Sequence, residues 1–152
     1  MALGATTYKT PNIINQIGSD MTAKEGCGVY LYSANRVDIA SSTQAPPYGI
    51  IVTGTDSVTP GTYPSAIGDA ALELVDQLGC VVQVLISANG GVVAGDLLLI
   101  DASDTDGTFT STGNQEVNAA DWIWGYALTD ADASQQCLMR FQPYLQQYVA
   151  AP

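Results

Sequence analysis

The sequence feature that most limits the fold is a pair of long apolar runs near the middle of the chain. Residues 80–87 and 92–100 are rich in valine, leucine and isoleucine, and the sequence Ala-Asn-Gly-Gly separates them. Asn-Gly followed by glycine is a strong signal for a tight turn between two strands. Both runs are too continuously apolar to leave one face in water. We therefore expect residues 79–102 to form a central hairpin that other segments cover on both sides.

Short strand patterns with glycine, proline and asparagine turns between them fill much of the remaining chain. β-Branched, aromatic and other apolar residues mark further strands at 29–34, 36–40, 48–53, 108–112, 122–129 and 135–142. Strands of this length at regular spacing are typical of all-β folds. The sequence therefore predicts an all-β fold, a small β-barrel or sandwich of short antiparallel strands.

One segment, residues 65–78, fits two kinds of structure. Ile67, Ala71, Leu74 and Leu78 have helical spacing, and Gly79 stands where a helix often ends. The rival is a strand over 70–75, because a Gly-Asp pair precedes it just as a Gly-Asp pair precedes the apolar residues 97–100. This weak internal repetition favours the strand.

The chain of 152 residues reads as a single domain, because no linker divides it. It is long enough to bury a core without disulfide support. Residues 1–26 lack the apolar period of a packed element, so we predict an extended N-terminal arm, which is either disordered or docked on a partner. We predict a C-terminal tail over residues 144–152.

Charge and cysteine content narrow the possible environments. Four basic residues stand against fifteen acidic ones, a net charge of −11, which disfavours binding to nucleic acid or to an anionic membrane surface.

Cys27, Cys80 and Cys137 are odd in number and far apart, as expected of buried thiols in a reducing compartment. No apolar run is long enough for a membrane helix or follows a basic start, so we expect a cytoplasmic origin.

No residue pattern selects an enzymatic site. Histidine, the commonest general base, is absent. Asp101, Asp104, Asp106 and Gly107 look like part of a calcium loop, but aligning the glycine puts Ala102 at the first ligand position, so polar turn residues explain them better. We therefore expect no catalytic residue, no cofactor and no metal.

The most suggestive side chains are three aromatic residues. Trp122, Trp124 and Tyr126 have two-residue spacing, which places them on one face of a strand. Such a stripe is most often core. The alternatives are a subunit interface or a platform for sugars.

Two short segments give the chain a family resemblance. These are Gly-Val-Val-Ala-Gly-Asp at 91–96 and Gly-Tyr-Ala-Leu at 125–128, within an order of features that runs from 29 to 141. In this order the chain resembles the capsid decoration, or cement, proteins of tailed bacteriophages. The loop 55–64 and the Trp-Ile-Trp sequence have no counterpart that we can place in the family pattern.

The resemblance implies a structural virion protein without catalysis. It implies a small β-barrel-like subunit, often a homotrimer, that binds across major capsid protein subunits on the outer surface of the capsid after assembly in the host cytoplasm. The N-terminal arm then becomes a capsid-docking element. The expected capsid or subunit contacts are Tyr8, Pro11, Ile13, Ile14, Ile17, Trp122, Trp124 and Tyr126. The alternative function is a carbohydrate- or receptor-binding β module of a virion or cell surface.

Overall fold

The computed structural model describes residues 12–14, 17–33, 36–53 and 72–146, with backbone only for 12–14 and for 53, 72, 73 and 75. These residues form ten strands and no helix. A membrane-spanning helix is therefore not found in this part of the chain. The strands are β1 Asn12–Ile14, β2 Gly28–Ser33, β3 Arg36–Ile39, β4 Gly49–Thr53, β5 Leu72–Val75, β6 Val81–Leu85, β7 Leu97–Ile100, β8 Phe109–Ser111, β9 Trp122–Ala127 and β10 Gln136–Leu145.

The strands form two antiparallel sheets. The first half of the chain builds a sheet in the order β1-β5-β4-β2-β3, and the second half builds one in the order β6-β10-β9-β7-β8. The all-β prediction is confirmed, and of its two forms the sandwich fits while a closed barrel does not.

The main core lies between the two sheets. Ile50 and Val52 of β4 contribute to it from the first sheet, and Val82, Val84 and Leu98 contribute from the second. The alternation of side chains along a strand explains why Ile51, between Ile50 and Val52, belongs to a separate cluster. Strand β4 is therefore buried on both faces, as its unbroken Gly-Ile-Ile-Val sequence requires.

The second cluster lies on the other face of the first sheet, where residues 17–27 cover it. Ile17 and Met21 are fully buried there, packed with Val29 and Val37 of the β2–β3 pair. The Gly18 N–H donates to the Val37 carbonyl at 2.7 Å. The prediction that residues 17–26 belong to the arm is therefore wrong. They are part of the domain, because Ile17 and Met21 pack against this face of the first sheet.

The predicted central hairpin is wrong. Strand β6 pairs with β10, and β7 pairs with β8 and β9, so two strands separate β6 from β7. A turn does occur at 88–89, but the segment that follows it bonds to the connection between β9 and β10. Both hydrogen bonds between Val92 and Ala131 are made, at 2.8 and 3.0 Å. Of the apolar run 92–100, only Leu97–Ile100 is strand.

Two other segment predictions have clear outcomes. The strand interpretation of 70–75 is confirmed for Leu72–Val75, while residues 65–71 lie outside the described part of the chain. The predicted tail begins too early, because β10 continues to Leu145, and Tyr144 and Leu145 pair with Ile123 and Trp122. Residues 147–152 are not described.

Candidate contact surface

The contact residues predicted in the arm divide into three groups. Tyr8 and Pro11 lie outside the described residues. Ile13 and Ile14 belong to β1, whose backbone pairs with β5. Ile17 is completely buried in the domain's own second cluster, so it cannot reach a partner in this conformation.

The aromatic strand does not present one exposed stripe. Trp124 is completely buried, whereas Trp122 and Tyr126 on either side of it are partly buried. Ile123, on the opposite side of the strand, is also completely buried. Because Trp124 and Ile123 point to opposite faces of β9 and both are completely buried, both faces of the strand are covered near its middle.

Trp124 is the largest side chain of the main core. Its ring lies 5.4 Å from that of Phe109 and 6.3 Å from that of Phe141. A Cβ atom on Gly28 of the first sheet would lie 2.8 Å from the indole ring, so only glycine lets the two sheets approach here. The tryptophan pair is therefore not a surface platform for sugars. The alternative function as a carbohydrate-binding module rested on such a platform, so it is no longer supported by these residues.

The exposed large apolar side chains lie elsewhere, at strand ends and in loops. They are Leu31, Tyr32, Leu78, Val93, Leu97, Tyr144 and Leu145. Leu31 and Tyr32 are neighbours in β2, with exposed fractions of 48% and 59%. This pair was not predicted, because the alternation in 29–34 indicated one covered side chain in every two.

Leu31 and Tyr32 belong to what we call the ribbon, residues 30–33 of β2 with residues 36–38 of β3. Strand β4 pairs with β2 only at Gly28 and Val29, so beyond Val29 the described strands give β2 no neighbour except β3. The register shifts between Leu31 and Ser33, which makes Tyr32 the extra residue of a β-bulge. Bulges of this kind re-aim side chains and often lie next to functional sites.

A cavity of about 560 Å³ adjoins the ribbon. Tyr30 and Asp38 line it from the ribbon, Asp20 and Lys24 from the covering segment, and Asp106 from the loop before β8. The Lys24 ammonium donates to Asp106 at 2.6 Å. Three carboxylates thus share the cavity with one cation that is already paired.

Local contacts hold the groups of this cavity in place. The Ser19 hydroxyl and the Ile39 N–H donate to Asp38, and hydrogen bonds from Thr22 hold the pKa of Asp20 below its ordinary value. Burial raises the pKa of the Tyr30 phenol, and the Asp38 carboxylate adds to the rise. The Tyr30 and Tyr32 rings meet edge to face, with centroids 6.4 Å apart.

The acidic turn after β7 is a structural feature. The Asp101 carboxylate is 2% exposed and accepts hydrogen bonds from the Asn89 amide at 2.8 Å and from the Ser103 N–H at 2.8 Å. Asp104 accepts from the Asp106 N–H and the Thr108 hydroxyl. Within the described residues, no cluster of acidic or thiol side chains has the geometry of a metal site.

The three cysteines are free thiols and are buried. Burial raises the pKa of Cys27 to about 12 and also raises that of Cys137. A reactive cysteine needs the opposite shift, because the thiolate is the nucleophile. These thiols therefore serve as small apolar core residues.

The two segments that carry the family resemblance meet in space. The Ala127 carbonyl accepts from the Gly95 N–H, and the Ala127 N–H donates to the Asp96 carbonyl, both at 2.8 Å. The Asp130 carboxylate accepts from the Ala94 N–H at 2.8 Å. Segments 91–96 and 125–128 are therefore two sides of one hydrogen-bonded unit at the connection between β9 and β10.

The chain is similar to a solved phage structure but not to any protein-family model. No protein-family model matches the chain, and no curated protein matches its sequence. Among solved structures, the chain is similar to the N base of head fiber gp8.5 in bacteriophage phi29, with 16% identity, a TM-score of 0.49, and coverage of 97% of this chain and 100% of that chain. Likeness at this level does not by itself establish a shared function.

Proposed function

We propose that the chain is a structural protein of a bacteriophage virion that decorates and stabilises the capsid by adhesion. The observation that carries this proposal is the pairing of the two resemblance segments. Residues 91–96 and 125–128 are far apart in sequence, yet backbone hydrogen bonds join them at Gly95, Asp96 and Ala127. Their joint presence therefore reflects one structural unit, which supports the likeness to capsid decoration proteins.

The character of the surface is consistent with adhesion. Within the described residues, the buried apolar side chains form two clusters, and exposed large ones lie at strand ends and in loops, where a rigid body can present them. Exposed apolar side chains of this kind mark protein contacts when they gather in one place. Leu31 and Tyr32 are two such exposed side chains at adjacent positions of β2.

Within this proposal the partner is the major capsid protein, and the chain acts on the outer face of the capsid as a homotrimer without enzymatic activity. Its charge of −11 opposes direct contact with nucleic acid or an anionic membrane. Bridging of neighbouring capsid subunits stabilises the capsid because the decoration protein binds the assembled state and not the dissociated one.

The direct test mixes the purified chain with expanded, undecorated bacteriophage capsids. We expect added density on the outer surface in electron micrographs and a higher melting temperature of the capsid. Absence of both would refute the proposal.

Native mass spectrometry tests the trimer separately. We expect a mass three times that of the 15.8 kDa chain. A monomer at micromolar concentration would remove the trimer from the proposal while leaving capsid binding to be decided by imaging.

A further inference from the structure

We infer that the ribbon is the element that docks on the partner, and that it fits a protein surface carrying lysine or arginine side chains. The inference rests on the proposed function, since it names the surface that meets the capsid. It begins from Leu31 and Tyr32, which are 48% and 59% exposed although both belong to strand β2.

Tyr32 does not belong to either core cluster of the described residues. The β-bulge places it as an extra residue opposite β3, and its ring contacts Tyr30 at the edge of the cavity. Exposed tyrosines are enriched at the centres of protein interfaces, because a tyrosine gives a large contact area at a low cost in conformational entropy. The ribbon thus carries side chains that are typical of protein interfaces. Among the described residues, no other segment covers Leu31 or Tyr32.

The surroundings of the ribbon indicate the charge of its partner. The adjoining cavity contains Asp20, Asp38 and Asp106, and Lys24 neutralises only one of them. A lysine or arginine of a partner that enters this cavity meets two further carboxylates and the ring of Tyr30, whose face attracts cations. Arg36 begins β3 at the other end of the ribbon and is not among the residues that line the cavity.

A second copy of the chain is a poorer occupant. Each copy carries a net charge of −11, and placing one acidic cavity against another copy of the same acidic protein adds repulsion that a basic surface removes. We therefore assign the ribbon to the capsid partner, and an interface between copies becomes an outcome that the test can reveal.

The test compares three variants with the wild-type chain for affinity to expanded, undecorated capsids. The double variant Leu31→Ser/Tyr32→Ser removes the apolar contacts, Asp20→Lys reverses one charge of the cavity, and Val93→Ser is the matched control. Val93 is an equally exposed apolar residue, at 59%, in the loop before β7. Since all the replaced side chains are substantially exposed, unchanged circular dichroism is expected.

We expect the ribbon variant to bind at least about tenfold more weakly, because side chains at the centre of an interface each contribute on the order of 1–2 kcal/mol. Asp20→Lys is expected to weaken binding and to reduce its dependence on salt, while Val93→Ser stays within about twofold of the wild type. Hydrogen exchange of the bound wild type, which needs no variant, is expected to show protection at residues 30–39.

The outcomes are distinguishable. If the wild type does not bind capsids, the proposed function fails and the inference fails with it. If the wild type binds and the ribbon variant binds equally well, or hydrogen exchange at residues 30–39 is unchanged, only the inference is overturned. Tighter binding by Asp20→Lys would contradict a basic partner, and loss of a native oligomer in the ribbon variant would assign the ribbon to contacts between copies.

Discussion

The carboxylate of Asp101 offers the sharpest test of the packing, because its hydrogen bonds should be visible in the pH dependence of stability. Asn89 and Ser103 donate to it from opposite sides, so the group joins the turn at 88–89 to the turn after β7. The change Asp101→Asn removes the charge and turns an amide N–H₂ toward one of the donors. Asp132→Asn, in an exposed turn between β9 and β10, is the matched control.

The expected magnitude follows from linkage. Burial would raise the pKa of Asp101, but hydrogen bonds from Asn89, Ser103 and Ser87 outweigh it and lower the pKa from 3.8 to about 2. A pKa that is lower in the folded state stabilises the protein above the unfolded value and loses that effect as the pH falls through the folded value. The stabilisation amounts to about 2 kcal/mol at pH 7 and about half of that near pH 3.

The assay is urea unfolding of the wild type and both variants at pH 7, 5, 4 and 3, followed by tryptophan fluorescence. We expect Asp101→Asn to lower the free energy of unfolding by about 2 kcal/mol or more at pH 7, and the gap to the wild type to shrink by about 1 kcal/mol at pH 3. The control should stay within about 0.5 kcal/mol of the wild type at pH 7. The reasoning would be refuted if the difference in the free energy of unfolding between Asp101→Asn and the wild type were the same at pH 3 as at pH 7.

Three further predictions concern the core and the covering segment. Trp124→Ala is expected to cost about 3–5 kcal/mol in urea unfolding and Trp124→Phe clearly less, because the ring fills the space against Gly28; equal costs would contradict this packing. Deletion of residues 1–20 is expected to destabilise the fold by several kcal/mol, since it removes the fully buried Ile17, whereas a melting temperature unchanged from the full chain would show that the segment is dispensable. The thiol of Cys27 and the two other buried thiols are expected to react with a disulfide reagent only after unfolding, and rapid labelling of the native chain would overturn that.

The sequence predicted local structure better than strand pairing. The glycine and proline turns and the β-branched runs located strands such as Gly49–Thr53 and Phe109–Ser111 within one residue, because these signals act over a few neighbours. The prediction of a central hairpin was wrong because local signals do not determine which strands pair. Which strand pairs with β6 depends on β10, more than fifty positions later, and no local signal encodes that choice.

The candidate surface was harder to predict than the fold. A stripe of aromatic residues looks the same in sequence whether its face of the sheet is covered or exposed, and here that face packs against the first sheet at Gly28, so Trp124 is buried. Conversely, residues 29–32 have an ordinary strand pattern. Leu31 and Tyr32 are uncovered because the pairing of β2 with β4 stops at Val29. Exposure depended on tertiary structure in both cases.

The pairing of β6 with β10 also governs when this chain can fold during synthesis. Val82 lies opposite Met139, so β6 leaves the ribosome well before its neighbour exists, and the inner face of the first sheet stays uncovered until then. Contacts so distant along the chain make folding slow, on the order of milliseconds to seconds. We therefore expect the nascent chain to stay sensitive to proteolysis and aggregation until β10 has emerged, and to become compact in one late step.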